Sequence, residues 1–347
     1  MLTLGDLYAR LLRRSTPETP EIDVYYPSDL FDAAGTAAVA TPPAIDWSRY
    51  SGVAWTGCSL CINSNDARVR HQLDLATAAF AAGVPQFGSC WAIQIAAVAA
   101  GGSCAPAARG REMGIGRKLA LTPAGRAHPM FAGKPPVFEA YESHEDEVTV
   151  LPPGAVLLAG NGWSAVQAAA IPHLNGEFWA VQYHPEYDLK ELAMLVNARK
   201  SKLTKMGFFP DEAAAGEYVA DLMRVYHAAD STAPAVVAAA ALDAAETGAA
   251  LGAPADAAAV PQASASACAS ASAGVSAPAP APTGGSVKHL LWRYGLDSDV
   301  LSEATRTTEV RNWVRSLVLP RYAETKARAA QAAASGAARE TLRRGAV

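Results

Sequence analysis

The chain has 347 residues, half of them hydrophobic, which is enough to bury a substantial core. Its formal net charge of -4, with no basic run interleaved with aromatics, argues against a nucleic-acid or anionic-membrane surface. No uninterrupted apolar run is long enough to cross a bilayer, and the opening "MLTLGDLYARLLRRSTPE" lacks the order of a secretory signal.

In chain order, Leu4 to Leu12 carry apolar residues at helical spacing. "EIDVYY" (Glu21 to Tyr26) and "GVAWTG" (Gly52 to Gly57) read as short strands. Asp66 to Ala82 reads as a helix with Asp66 as its N-cap, and "VPQFG" as the next strand. Strands separated by helices imply α/β architecture, with a mostly parallel sheet and helices on both faces. After Gly102 the strand-like pieces "RKLALT", "PVFEAYESH", "AVLLAG", "AVQAAAI" and "EFWAVQYH" follow at short intervals, as a run of hairpins would. Two helices are expected next, roughly Leu189 to Met206 and Asp211 to His227.

The composition then shifts. Between Arg224 and Lys288 there is no Lys or Arg, and "PQASASACASASAGVSAPAPAPTGG" is Ala/Ser/Pro low complexity. Residues 229–285 therefore read as a flexible linker, 286–326 as a small helical unit and 327–347 as a tail. The first 228 residues form the main domain.

Five cysteines, Cys58, Cys61, Cys90, Cys104 and Cys268, are an odd count without an export signal. Free thiols in a reducing cytoplasm are expected. Cys90 occupies a special place: "VPQFGSCWAIQIAAVAAGG" runs from a strand through Gly-Ser-Cys straight into a helical pattern. A nucleophile on such a corner is pushed out at the carboxyl end of the strands, and the following helix aims its N-terminal amides at the thiol. Gly88 before it and Ala92 after it leave room for the turn. A buried, inert cysteine is the competing reading.

Further on, "VQYHPEY" ends a strand in His184-Pro185-Glu186. In extended geometry the two ionisable side chains point the same way, so Glu186 can hold one ring nitrogen while the other faces a thiol. That is the nucleophile, base and orienter arrangement of a triad.

These residues carry a resemblance. Gly88, Cys90 and Gln94 match the G-x-C-x-G-x-Q motif of class I glutamine amidotransferases, and His184, Pro185 and Glu186 match their H-P-E. Between them "GREMGIG" (Gly110 to Gly116) resembles G-R-E-[IF]-G, and "SHEDEV" (Ser143 to Val148) resembles S-H-x-D-x-V. The chain is similar to the stand-alone group related to the amidotransferase half of GMP synthase, over roughly residues 1–228. The resemblance implies a flavodoxin-like α/β fold without metal or cofactor. It also implies that Cys90 attacks the γ-carboxamide of glutamine, or of a related γ-glutamyl compound, to give a γ-glutamyl thioester. His184 would move the proton and Glu186 would orient it. Backbone amides of Trp91 and of the Gly57-Cys58 turn would form the oxyanion hole, and Gln94, Ser143 and His144 would hold the amino-acid end. The ammonia would be passed to a separate synthetase or simply released; no nucleic-acid or membrane partner is implied.

The chain also departs from the pattern. Ala92 stands where the family has a second Gly. Cys58 and Cys61 place a C-x-x-C at the oxyanion loop, a weak signal for redox or metal chemistry. An opening strand of the "ILVVD" type is not found before the first helix, so either the start site is misassigned or the sheet lacks a central strand. Arg111 and Glu112 are expected to pair and fix the "GREMGIG" turn. A non-catalytic scaffold whose function lies in binding is the alternative from another class, disfavoured because Cys90, His184 and Glu186 are all present.

Overall fold

The computed structural model describes residues 3–41, 43–231, 286–328 and 330–331. Helix α1 (Leu4–Ser15) starts at a reciprocal capping box between Thr3 and Asp6, and buries Leu7, Tyr8 and Leu11. Residues 21–26 form no strand: they run between Pro20 and Pro27 without a ladder partner, leaving Val24, Tyr25 and Tyr26 exposed. The other expected strands are formed.

The strands in chain order are β1 (Val53–Trp55), β2 (Gln86–Ser89), β3 (Ser103–Pro106), β4 (Glu112–Leu121), β5 (Val137–His144), β6 (Asp146–Val150), β7 (Val156–Gly160), β8 (Ala168–His173) and β9 (Gly176–Val181). Seven of them make one sheet in the order β1-β2-β9-β8-β7-β4-β5, and β3 pairs with β6 apart from it. The α/β architecture is as expected, but the sheet is mixed rather than mostly parallel. Only β1–β2 and β2–β9 are parallel; every other neighbouring pair in it is antiparallel. The reason is connectivity. Helix α2 (Ala67–Ala81), capped by Asp66, crosses from β1 to β2, whereas β8 turns directly into β9 at Leu174 and Asn175. The pairing runs without a break from β1, at one edge, to β5 at the other.

Alternation along the strands sorts side chains onto two faces. Phe87, Ala168, Ala170, Trp179 and Val181 join one apolar cluster with Tyr8 and Leu11 of α1. Ala169, Ile171, Phe178 and Ala180 join the other, against α2 and helix α3 (Trp91–Ala99). A short helix, α4 (Pro123–Ala127), follows β4.

The chain falls into two compact units, one of Met1–Tyr187 with Glu303–Val347 and the other of Asp188–Ser302. This grouping crosses the boundary expected at residue 228 and divides the expected 286–326 helical unit. In the second unit, α5 (Leu189–Lys205), α6 (Glu212–Ser231), α7 (Val287–Tyr294) and α8 (Ser298–Leu301) are described. The hydroxyl of Tyr294 donates to Asp221 at 2.7 Å, and Tyr294 meets Tyr218 edge-on, tying α7 to α6. Most of the expected linker and tail, residues 232–285 and 332–347, lies outside the described residues.

In the first unit, α9 (Glu303–Arg306) and α10 (Thr308–Trp313) lead through a wider helical turn at Val314–Val318 into a helix reaching residue 328. Val310, Trp313 and Val314 enter the same cluster as Tyr8 and Phe87. The Asn312 amide donates to the carbonyls of Met130 and Ala132, and Arg321 to those of Tyr50 and Gly83. This segment covers a sheet face rather than forming an appendage of its own. No helix among the described residues is long and apolar enough to cross a membrane.

Candidate active site

Cys90 sits between the last residue of β2 and the first of α3, with φ 56° and ψ -101°. Few non-glycine residues adopt a positive φ, and such strain persists only where the surroundings impose it. Here the Cys90 amide donates to the Val181 carbonyl at 2.8 Å, fastening the corner to β9. Its thiol points at the Ser143 carbonyl, 3.7 Å away.

The corner depends on Gly88. A Cβ there would lie 2.4 Å from Cβ of Ala92 and 2.6 Å from the Trp55 carbonyl oxygen. Ala92 thus fits at the family's second glycine because Gly88 leaves the space. Gly88→Ala is expected to cost about 1–3 kcal/mol or to displace the corner, since one neighbour is backbone. Thermal denaturation of the variant checks this, and an unchanged Tm would contradict it.

His184, Pro185 and Glu186 lie in a turn beyond β9, not in an extended strand end. The pairing arises all the same: the turn folds Glu186 back so that its Oε1 accepts from His184 Nδ1 at 2.7 Å. The imidazole stacks on the Tyr187 ring, with centroids 4.1 Å apart and planes 2° from parallel. Burial disfavours the imidazolium, but Tyr187, Glu186 and Cys90 outweigh it and hold the His184 pKa well above its ordinary value. Its Nε2 is buried without a hydrogen-bond partner. Gly57 closes over the pair: a Cβ there would lie 3.1 Å from Cε1 of His184 and 3.9 Å from Cβ of Cys90. The structure therefore brings Cys90, His184, Glu186 and the Gly57-Cys58 loop after β1 together, with Trp91 heading α3 beside them.

Two features escaped sequence reasoning. Ser89 Oγ donates to Glu186 Oε1 at 3.0 Å, and the Tyr8 hydroxyl donates to Ser89 Oγ at 2.5 Å. A polar residue at the end of the buried strand "QFGS" was the only signal for Ser89; Tyr8 is 81 positions away and gave none. The second feature is Glu142, whose two carboxyl oxygens are buried without a hydrogen-bond partner. Burial, followed by the neighbouring Glu112 carboxylate, pushes its pKa well above the ordinary range.

The expected substrate-holding residues are engaged within the protein. Gln94 Nε2 donates to the Asp146 carbonyl, and His144 Nδ1 meets that same carbonyl at 3.0 Å. Ser143 Oγ accepts from Arg111 at 3.3 Å. Arg111, just before β4, and Glu112, its first residue, do not pair with each other. Arg111 bridges to Glu145, while Glu112 takes hydrogen bonds from Asn161 and Gln167 and faces His144 Nε2. Potential metal-ligating atoms of Glu112, Glu142 and His144 lie within 4.8 Å of one another. Amide donors occupy both Glu112 oxygens and His144 faces one of them, while Glu142 lies beside them without a hydrogen-bond partner. Cys58 and Cys61 are both free thiols, with Cys61 exposed; Cys268 lies outside the described residues.

Residues 63–199 match the family model of class-I glutamine amidotransferases. The match is confined to this stretch of the chain. Over 140 residues, 40% of its length, the chain is 41% identical to a γ-glutamyl-L-1-hydroxyisopropylamide hydrolase of a Pseudomonas species, covering 47% of that protein. Over 106 residues, 30% of the chain, it is 37% identical to a glutamine-hydrolysing GMP synthase subunit of Methanoculleus marisnigri, covering 53% of it. The chain thus spans about half the length of these relatives. A crystal structure of a glutamine amidotransferase from Thermotoga maritima aligns at 17% identity and a TM-score of 0.43, over 56% of this chain and 82% of that one. Cys90, His184 and Glu186 fall within the matched amidotransferase residues. Tyr8, Gly57 and the covering segment from Glu303 onward fall outside them.

Proposed function

We propose that the chain is a cysteine-dependent amidohydrolase that cleaves the γ-amide of glutamine or another γ-glutamyl compound. The observation that carries this reading is the strained Cys90 corner beside a histidine whose Nδ1 is held by Glu186. A raised His184 pKa favours the imidazolium, and with it the thiolate that attacks the amide carbon. The tetrahedral oxyanion would be met by the amides of Trp91 and of the Gly57-Cys58 loop. His184 Nε2 then protonates the leaving nitrogen, and water, deprotonated by the same nitrogen, releases glutamate from the thioester.

Within this reading, a self-sufficient γ-glutamyl amide hydrolase is favoured by the 41% identity to the Pseudomonas hydrolase. Supply of ammonia to a separate synthetase is the second reading, favoured by the likeness to a GMP synthase subunit. A cytoplasmic setting accompanies both, supported by the free thiols of Cys58, Cys61, Cys90 and Cys104. Glutamate release should be measured over a panel of γ-glutamyl amides that includes glutamine. A kcat/KM for a substituted amide at least about tenfold above that for glutamine supports the hydrolase. Glutamine as the sole substrate supports the ammonia supplier, and release from none of them overturns the amidohydrolase reading.

A further inference from the structure

The hydrogen bonds behind Cys90 form a directed chain, and its direction follows from which groups can donate. Glu186 Oε1 accepts from both His184 Nδ1, at 2.7 Å, and Ser89 Oγ, at 3.0 Å. An ionised carboxylate has no proton to give, so both contacts must be donated to it. The single Ser89 proton is thereby committed to Glu186, and Ser89 Oγ can only accept from Tyr8 at 2.5 Å. Burial pushes the Tyr8 phenol well above its ordinary pKa, so it keeps its proton. Ser89 is fully buried, and Tyr8 is 3% exposed, so water does not compete for these contacts.

Each link rests on a rigid element. Ser89 ends β2 immediately before Cys90, so the same strand places the thiol and the donor to Glu186. Tyr8 lies in α1, locked by its packing with Phe87 and Trp179 in the core. With Nδ1 committed to Glu186, a neutral His184 carries its lone pair on Nε2, the nitrogen available to Cys90.

Taking Cys90 and His184 as the nucleophile and base of the function proposed above, we propose that Ser89 and Tyr8 are positioning residues of this site. They hold the Glu186 carboxylate in the orientation that fixes the His184 ring, and Tyr8 acts only through Ser89. The N-terminal helix therefore contributes to the active site although it lies outside the matched amidotransferase residues.

The test follows the rate at which iodoacetamide alkylates Cys90, read on the Cys90 peptide by mass spectrometry. It uses the full chain and its Ser89→Ala, Tyr8→Phe and double variants, and needs no knowledge of the substrate. Ser89→Ala is expected to slow alkylation roughly tenfold, about the worth of one hydrogen bond to a charged group. Tyr8→Phe should slow it less, and the double variant no more than Ser89→Ala alone. Packing defects from two separate elements would instead multiply, and a multiplied loss would overturn the relay. So would a wild-type alkylation rate in Ser89→Ala, provided circular dichroism shows it folded. If Ser89→Ala fails to fold, Tyr8→Phe alone decides: no slowing overturns the proposal, and slowing at unchanged Tm supports it. A chain that releases no glutamate from any γ-glutamyl amide, yet alkylates with this pattern, would retain the relay while removing the amidohydrolase reading.

Discussion

Cys90→Ala is expected to reduce glutamate release by at least about 10⁴-fold, leaving only background, because no other group can form the thioester. The other thiol close to the site is Cys58 in the Gly57 loop, whose pKa is raised by burial. A raised pKa leaves less of it as the reactive thiolate. Retention of more than about one per cent of the activity in Cys90→Ala would contradict the assignment. A companion variant separates chemistry from strain. Alanine keeps the Cβ that makes φ 56° unfavourable, whereas glycine does not. Cys90→Gly should be as inactive as Cys90→Ala but more stable by about 1 kcal/mol, seen as a higher Tm. If glycine gave no gain over alanine, the corner would be unstrained and its positive φ without energetic consequence.

The largest effect on stability is expected at Lys134. Its ammonium lies 2.9 Å from Glu309, and both side chains are almost completely buried, at 1% and 0% exposure. It also donates to the Thr305 carbonyl and rests over the Phe138 ring at 4.5 Å. On the other side of the pair, the hydroxyl of Tyr183, one residue before His184, donates to Glu309. Burial and then the Glu309 charge raise the Tyr183 pKa, so this donor stays protonated. Lys134→Met would leave a buried carboxylate without its cation and should cost about 3–5 kcal/mol in urea denaturation. Replacing both, as Lys134→Met with Glu309→Leu, should recover most of that loss. A single-variant cost below about 1 kcal/mol would mean that the segment from Glu303 onward is held by its apolar contacts and its Asn312 and Arg321 hydrogen bonds rather than by this ion pair. The same experiment tells whether this segment belongs to the cooperative unit that carries the site, since Tyr183 links it to the strand that leads to His184.

Much of the site was legible in the sequence. Gly-Ser-Cys before an apolar helical run announces a strand-to-helix corner, because few local patterns place a cysteine there. His-Pro-Glu after "EFWAVQY" announces a buried histidine with an acid within reach, and the short spacing brings the two together even in a turn rather than a strand end. The helix cap at Asp66 is likewise a local property of the chain.

What only the tertiary structure decided involves contacts between distant segments. The sheet is mixed because hydrogen-bonded neighbours are chosen by how connections pack, and alternation along a strand is the same for either direction. "EIDVYY" has strand composition but no partner edge, so composition alone misleads. Arg111 and Glu112 look like a pair until the fold gives each its own partners. The Tyr8-Ser89-Glu186 chain and the Lys134–Glu309 pair join residues 81 and 97, and more than 170, positions apart. No periodicity in the chain records such a meeting. The sequence by itself determined which groups are chemically capable. Folding determined which of them are held, dry and aligned, because burial and hydrogen-bond direction are properties of the assembled core.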